Sequence, residues 1–371
     1  MTTLRVLLHV AAQNDYELHF LDFSTAFLQG SLHEETWLRQ PPSFTGTFPA
    51  GTQWSLRRPV YGLRKVPRKW HDTLRTTLAA LGFAPSTADP SLFLRTETSL
   101  PPFYVLVYVD DLAIANADTE AQTLVLQRFG FQFCSPQPTP LSTSHSLSAP
   151  PSDKSVEPSG PYLELVGCLM YLMTCTRPDL AYPLSLMARY VAPGRHRKVH
   201  RDAAKRVLRY LCSTSGKGLV LGGRGPIVLT VHADSSWVDD SATQRSSQGY
   251  TFNLGSGSMS WRSTRSSSVL SSFCKAEIYA RAMAGQELRW LTYLLTDLGE
   301  QPCSPPVLTK HIALRYFLAR ELQQGGQLRL AYVAIRANTA DVFTKALPHG
   351  DHQSFATLLG LVATLPHLLT A

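Results

Sequence analysis

The stretch FYVLVYVDDLAIA, residues 103–115, contains two apolar runs that are separated only by Asp110 and Asp111. Val, Phe, Tyr and Ile favour strands, and two such runs around a two-residue polar break indicate a β-hairpin. We therefore predict strands over residues 103–109 and 112–115, with the two acids at the turn. The hairpin would present two adjacent carboxylates at one end of a sheet.

A third acid, Asp22, stands near the end of another predicted strand, residues 17–23. Nucleotidyl transfer uses carboxylates that hold two Mg²⁺ ions roughly 3.5–4 Å apart, and adjacent acids at a tight turn suit that demand. A hydrophilic hairpin turn is the other interpretation. The tetrapeptide at residues 108–111 does not by itself decide between them.

Composition sets limits on the class of protein. The chain has 371 residues, 44% hydrophobic and 17% charged, which is typical of globular proteins with more than one core. No apolar run reaches the roughly 18 residues of a membrane span, and residues 1–12 indicate a helix, not a signal peptide. The six cysteines form no C-x-x-C pair, which disfavours a zinc site and fits a reducing compartment. We expect an intracellular protein, cytoplasmic or nuclear, without a membrane partner.

The pattern of apolar residues predicts an α+β fold. Residues 135–160 are mostly Ser and Pro, which predicts a linker. The other predicted helices cover residues 68–82, 162–190, 199–212, 275–298 and 311–323, and the other predicted strands cover residues 227–232, 249–254, 258–263 and 327–333.

The net charge of +8 is concentrated in residues 189–209, where Lys and Arg are opposed by one acid, Asp202. Arg201, Lys205 and Arg209 follow i, i+4 spacing and share a face of the predicted helix. Such a face could track the phosphates of a nucleic acid. A solvated helix surface is the alternative for a basic helix of this kind.

The last region carries one acid on each of three separate elements: Asp234 at the end of the first strand, Glu277 in the first turn of the long helix, and Asp341 after the last strand. Acids that converge from separate elements are how a two-metal hydrolase is built. Three unrelated surface acids are the alternative that spacing alone leaves open.

Ordered motifs add a family resemblance to these patterns. LDFSTAFLQG at 21–30, WLRQPPSF at 37–44, PVYGLRKVPRKW at 59–70 and YVDD at 108–111 follow one another as in copia-type reverse transcriptases, which this region strongly resembles. The resemblance implies a palm with fingers and Mg²⁺ (or Mn²⁺) at Asp22, Asp110 and Asp111. It also implies dNTPs, an RNA template, a DNA primer and an RNA–DNA hybrid as partners. Further residues that it places near the nucleotide are Phe27, at the sugar, and Tyr61 with Gly62, under the incoming nucleotide. By composition alone, Phe27 and Tyr61 would be core residues.

Residues 163–212 resemble the segment that connects the two enzymes of this family, and residues 228–360 resemble its ribonuclease H domain. The motifs of the latter are ADSSW at 233–237, SSQGY at 246–250, AEIY at 276–279, TKHI at 309–312 and ADVFTKAL at 340–347. The resemblance implies that Asp234, Glu277 and Asp341 are catalytic metal ligands.

The chain also departs from the family pattern. Lys65-Val66 replaces a usual Gln-Ala, and Lys275 replaces a usual Glu. A stretch is missing after about residue 120, which removes most of the thumb, and another at about residue 308, which removes the third metal-binding acid. We therefore expect impaired polymerase activity, because positioning supplies much of the catalysis, and little or no ribonuclease H activity.

The expected organisation is a partial reverse transcriptase domain (1–133), a linker (134–160), a helical connection (161–225) and a truncated ribonuclease H-like domain (226–371). The predicted function is RNA-directed DNA polymerase with a ribonuclease H region. The alternative is a non-catalytic remnant or nucleic-acid-binding protein. The oligomeric state does not follow from the sequence.

Overall fold

A computed structural model describes most of the chain. The described residues are 1–16, 18–19, 21–22, 35–40, 48–49, 51–60, 63, 66–95, 102–108, 111–112, 119–144, 147, 160–192, 194–223, 227–240, 243–310, 322–334 and 337–363.

Helices and strands alternate along the described chain, as the α+β prediction expects. The helices are α1 (Thr2–Gln13), α2 (Val66–Ala80), α3 (Thr119–Arg128), α4 (Gly160–Cys175), α5 (Ala181–Met187), α6 (Lys198–Ser213), α7 (Phe273–Asp297) and α8 (His349–Leu358). The strands are β1 (Leu21–Asp22), β2 (Trp37–Arg39), β3 (Gln53–Ser55), β4 (Ala84–Pro85), β5 (Leu92–Arg95), β6 (Phe103–Tyr108), β7 (Asp111–Leu112), β8 (Lys217–Leu219), β9 (Leu229–Asp240), β10 (Arg245–Leu254), β11 (Gly257–Arg265), β12 (Val307–Lys310), β13 (Arg329–Tyr332) and β14 (Leu361–Ala363).

The chain divides into two compact units. The smaller unit is residues 17–114, and the larger unit combines residues 1–16 with 115–371. This division differs from the predicted boundary at residue 133, because α1 and α3 pack with elements that come later in the chain. None of the helices in the described ranges combines the length and apolarity that a bilayer crossing requires.

The smaller unit contains a sheet whose described strands follow the order β1-β7-β6-β5-β4, with antiparallel pairing between neighbours. The predicted hairpin is confirmed by β6 and β7, which pair Val107 with Leu112 and Tyr108 with Asp111. Asp111 therefore lies within the ladder, not at the turn where both acids were predicted. The strand predicted for residues 17–23 is described as β1 alone.

Helix α2 covers one face of this sheet. Trp70, Leu74 and Leu78 recur every four residues, so they form one apolar stripe, and they pack with Phe93 and Val107. The helix ends at Ala80, close to the predicted end at Gly82, which adopts a φ of +84°. Glycine tolerates this conformation and commonly terminates helices. The unit thus has its own small core beneath the hairpin.

The sheet of the larger unit follows the order β11-β10-β9-β12-β13 in its described strands. Strands β9, β10 and β11 are antiparallel, whereas β12 runs parallel to β9 and β13 parallel to β12. The three predicted successive strands are confirmed as β9, β10 and β11, which are longer than predicted. In particular, β9 continues to Asp240, so Asp234 lies inside a strand and not at its end.

Helix α7 packs against β9 and β10. Ser272 caps its first turn by accepting a hydrogen bond from the Lys275 N–H at 3.3 Å. The apolar positions Leu288, Leu291 and Leu295 are buried, as the helical spacing predicted. Glu277 is buried on the helix as well, which brings a carboxylate to the sheet.

Helices α3 to α6 form a second layer around a leucine-rich core that includes Leu169, Leu184 and Leu208. The prediction of one continuous helix over residues 162–190 is wrong. Helix α4 ends at Cys175, and a 3₁₀ turn at Pro178–Leu180 precedes α5. Proline disfavours helical backbone in the residue before it, so the helix breaks at this point.

The described part of the predicted linker packs against α6 although it contains no helix or strand. Leu141 and Leu147 are buried. The Arg206 guanidinium donates to the carbonyl oxygen of Thr139 at 3.2 Å and to its hydroxyl at 3.0 Å. Residues 135–144 therefore form an irregular segment that is fixed to the helical layer. It is held there by its own buried apolar side chain and by hydrogen bonds that α6 donates to it.

Helix α1 joins the larger unit through Arg5, which is buried. Its guanidinium donates to the carbonyl oxygens of Met259 and Thr174, both at 2.6 Å, and lies 3.9 Å from the centre of the Trp261 ring. These contacts satisfy the charge without a carboxylate. The first helix is thus tied to β11 and α4.

Candidate active sites

The hairpin of the smaller unit brings two of the predicted acids to one place. Strand β1 pairs with β7 so that Asp22 lies directly opposite Asp111. Opposed residues of an antiparallel ladder have Cα atoms about 4.5–5.5 Å apart and share one face of the sheet. Asp111 also pairs with Tyr108, whose side chain is exposed. Acids distant in sequence therefore become neighbours at the end of this sheet.

Four residues of the predicted polymerase site lie outside the described residues: Asp110, Phe27, Tyr61 and Gly62. The side chains of Asp22 and Asp111 lie outside them as well. For this site, the structure therefore describes the backbone pairing of β1, β6 and β7.

The acids of the last region also come together, and we name Asp234, Glu277 and Asp341 the acid cluster. They come from β9, α7 and a 3₁₀ turn at Thr339–Phe343, and all three are buried. Close packing of that turn on the sheet depends on Gly249, which pairs with Asp234. A Cβ atom at Gly249 would lie 2.4 Å from the Cβ of Phe343, so any larger residue would push the turn away.

Each carboxylate of the acid cluster accepts from its own donor. The Thr344 hydroxyl donates to Asp234 Oδ2. Arg281 Nη2 lies 2.7 Å from Glu277 Oε2, and Lys345 Nζ lies 2.7 Å from Asp341 Oδ2. None of these three partners was predicted from the sequence. The i, i+4 spacing of the two ion pairs could have indicated Arg281 and Lys345.

The charges of the acid cluster are not balanced. Burial, together with the negative charge of Asp234, raises the pKa of Glu277 to about 7, although Arg281 opposes the shift. Burial and Asp234 likewise raise the pKa of Asp341 to about 6, against the effect of Lys345. Three carboxylates share two cations, so one negative charge is in excess when all are ionised. Such displaced pKa values are frequent at functional sites.

The acid cluster as folded does not fit a divalent metal ion. In the described ranges, no three His, Cys, Asp or Glu side chains form a group that could hold a metal. An oxygen of each carboxylate is engaged by Thr344, Arg281 or Lys345. The neighbouring strand adds no ligand, because β12 lies beside β9 with Thr309 opposite His232 and contains no acid.

The basic helix is confirmed as α6, with Ala204, Val207, Leu208 and Leu211 buried. On its other side Lys205 and Arg209 are exposed, and Arg201 is half-buried. Whether this face contacts nucleic acid stays a prediction.

A buried ion pair that our sequence analysis did not identify lies between the helices. Arg177 and Asp179 are both fully buried, and two N–H groups of the guanidinium donate to the two carboxylate oxygens at 3.0 and 2.7 Å. Tyr210 donates to Asp179 at 2.6 Å, and Gln122 and Thr214 accept from Arg177 at 2.9 and 2.8 Å. All three guanidinium nitrogens of Arg177 donate hydrogen bonds, so this network has a structural role.

The chain is similar in sequence to a reverse transcriptase family and to retrotransposon polyproteins. Residues 1–133 match the family described as reverse transcriptase (RNA-dependent DNA polymerase). The retrovirus-related Pol polyprotein from transposon RE2 of Arabidopsis thaliana is 32% identical over 429 residues, which cover 98% of this chain and 29% of the relative. The corresponding polyprotein from transposon TNT 1-94 of Nicotiana tabacum is 29% identical, covering 97% and 32%.

A solved foamy viral protease–reverse transcriptase, in complex with double-stranded DNA, aligns with 88% of this chain and 61% of its own. Its TM-score is 0.22 and its identity 10%, which is too low for a comparison of folds. The chain spans only 29% of the length of the RE2 polyprotein. That alignment of 429 residues is also longer than the 371 residues of the chain, so the relative contains internal residues that this chain lacks.

Proposed function

This chain carries a reverse transcriptase domain and is homologous to the Pol polyproteins of copia-type retrotransposons, and from this premise we propose that it is an RNA-directed DNA polymerase with impaired activity. The observation that carries the proposal is the register that sets Asp22 opposite Asp111 beside the hairpin. Its substrates would be dNTPs and a DNA primer on an RNA template.

Asp22, Asp110 and Asp111 would hold Mg²⁺ or Mn²⁺ at the end of the hairpin sheet. The backbone fits this role, because opposed positions on β1 and β7 bring two of the acids within reach of one ion. When bound, the ions would activate the primer 3′-oxygen and stabilise the pyrophosphate. Phe27 would close the sugar pocket, and Tyr61 with Gly62 would support the incoming nucleotide.

Impairment follows from the missing residues. Longer alignments with the relatives support internal losses in this chain. After β7, the described chain proceeds to α3, which packs with α4 and α6 of the larger unit. A polymerase without a complete thumb would hold its primer loosely, and loose positioning reduces the rate of transfer.

The larger unit would contain a ribonuclease H-like domain without hydrolytic activity. The resemblance of residues 228–360 and the convergence of the acid cluster support the ancestry. Two observations support the loss of activity: β12 contains no acid beside β9, and the acid cluster is engaged by internal donors. RNA of a hybrid should therefore remain uncut.

Primer extension on an RNA template with Mg²⁺ tests the proposal. We expect weak extension that Asp110→Asn abolishes, because that variant removes a metal-binding carboxylate. Asp72→Asn is the matched control, since Asp72 is an exposed acid on α2 of the same unit. Loss of extension in both variants, or in neither, would contradict the assignment of the site.

The second candidate is a non-catalytic nucleic-acid-binding protein, which the exposure of Lys205 and Arg209 favours. Here the wild type would show no extension but would bind an RNA–DNA duplex with an affinity that falls as salt rises. The double variant Lys205→Gln/Arg209→Gln should reduce the slope of log affinity against log salt by roughly 2. A control that neutralises Lys275 and Arg289, both exposed on α7, should not.

A further inference from the structure

We propose that Lys345 is a built-in cation of the acid cluster, which takes the place of a divalent ion and opposes the binding of such an ion by its charge. Lys345 Nζ lies 2.7 Å from Asp341 Oδ2. The ammonium also lies within the electrostatic reach of Asp234 and Glu277. The charge of Lys345 therefore acts on all three carboxylates, while its ion pair is made with Asp341. This inference rests on that ion pair and on the buried positions of the three acids, and not on the polymerase proposal.

Lys345 blocks a metal in two ways. Its ammonium occupies an oxygen of Asp341 that a divalent ion would need, since such ions bind through carboxylate oxygens. It also supplies one of the two positive charges that oppose three carboxylates, the other being Arg281. When all three carboxylates are ionised, removing Lys345 leaves an excess of two negative charges against Arg281. A divalent cation would neutralise them.

The two cations of the cluster differ in how firmly they are held. The side chain of Arg281 is only 5% exposed and lies on α7 between the helix and the sheet, whereas that of Lys345 is 43% exposed. A lysine reaches its partner through a flexible stem, so its ammonium can withdraw to solvent. Lys345 is therefore the cation that a metal would have to displace, and Arg281 is part of the framework.

Mn²⁺ binding tests the proposal directly, with free Mn²⁺ followed by its electron paramagnetic resonance signal. Lys345→Met keeps most of the length of the side chain and removes its charge. Any Mn²⁺ bound at Asp22, Asp110 and Asp111 is common to the variant and the wild type. Beyond it, we expect Lys345→Met to bind one further Mn²⁺ at least about tenfold more tightly than the wild type does, because a unit charge at this distance affects a cation strongly even when screened. Lys345→Arg should behave as the wild type.

Lys275→Met is the matched control. Lys275 is an exposed lysine on the same helix as Glu277, and its ammonium donates to the Ser271 hydroxyl at 2.8 Å and not to an acid. This variant removes the same charge without touching the cluster, so its Mn²⁺ affinity should match the wild type. Equal affinities for Lys345→Met and Lys275→Met would overturn the proposal.

Thermal unfolding covers the case in which Lys345→Met folds poorly. If Mn²⁺ can take the place of the ammonium, it should raise the melting temperature of this variant by more than it raises that of the wild type, because any Mn²⁺ bound at Asp22, Asp110 and Asp111 is common to both proteins. A Lys345→Met protein that is unfolded both with and without Mn²⁺, beside a folded Lys345→Arg protein, would also overturn the proposal. Neither measurement depends on polymerase or nuclease activity.

Discussion

Two of the clusters of buried charge in the described part of the larger unit differ in how the charge is balanced. In the first, Arg177 and Asp179 meet one to one through two parallel hydrogen bonds. In the second, the three carboxylates of the acid cluster share the cations Arg281 and Lys345. The carboxylates of both clusters are buried, so their interactions are stronger than those of surface pairs.

The pKa shifts of the two clusters have opposite directions. Burial works against the charged form of Asp179, but the Arg177 guanidinium outweighs it and lowers the pKa of the carboxyl below its usual range. In the acid cluster, burial and the charge of Asp234 raise the pKa of both Glu277 and Asp341. The balanced pair of Arg177 and Asp179 thus stabilises the fold. The acid cluster has an excess of negative charge, so it favours the binding of a further cation or proton.

The largest expected effect comes from breaking the balanced cluster. Arg177→Met leaves the Asp179 carboxylate buried without its partner, and we expect a loss of about 3–5 kcal/mol in the free energy of unfolding. Urea denaturation monitored by circular dichroism measures it. Arg128→Met is the control, because Arg128 pairs with Glu164 at the surface, where such pairs contribute at most about 1 kcal/mol. Equal losses in the two variants would contradict the structural role of Arg177.

A smaller effect, with a defined pH dependence, is expected at Glu277. Its folded-state pKa is about 7, above the ordinary value of 4.5. The folded protein therefore binds this proton more tightly than the unfolded chain. The stability that the group contributes is present below pH 4.5 and is lost as the pH rises through 7.

Glu277→Gln removes this titration. We expect the variant to gain roughly 3 kcal/mol relative to the wild type between pH 4 and pH 8, since each unit of pKa shift corresponds to about 1.4 kcal/mol. Unfolding curves across this pH range, in metal-free buffer, give the difference. Asp202→Asn, which neutralises an exposed acid on α6, should leave the pH profile of the wild type unchanged. If the difference in the free energy of unfolding between Glu277→Gln and the wild type did not change with pH, the raised pKa of Glu277 would be contradicted.

The smallest effect is expected at Thr344, the uncharged donor of the acid cluster. Thr344→Val keeps the shape of the side chain but removes the hydroxyl that donates to Asp234. We expect a loss of about 1 kcal/mol, the typical contribution of one hydrogen bond. Thr344→Ser keeps the donor and should remain near the wild type. Comparable melting temperatures for the Val variant and the wild type would mean that this hydrogen bond contributes nothing.

Local sequence patterns predicted the parts of the fold that depend on local periodicity. The hairpin of β6 and β7, the strands β9 to β11 and the long helix α7 all follow from alternation or helical spacing. The convergence of Asp234, Glu277 and Asp341 was also expected, because the ordered motifs resembled a known domain.

Contacts between distant residues were not predictable in this way. Arg5 binds carbonyl oxygens of Met259 and Thr174, and nothing in the N-terminal pattern indicates those partners. Arg177 lies within residues 163–212, for which the sequence indicated only a connecting segment, and its partner Gln122 lies 55 residues away in the chain. Local periodicity reports which face of an element is apolar, but it carries no information on which distant acceptor meets a buried charge.

The carboxyl ¹³C chemical shifts of the larger unit, followed from pH 3 to pH 9 in the intact, metal-free protein, test the contrast between the two clusters most directly. We predict that Glu277 titrates near pH 7 and Asp341 near pH 6, while Asp179 stays ionised down to the lowest pH at which the protein is folded. Ordinary titration of Glu277 and Asp341 near pH 4, alongside that of Asp179, would contradict it.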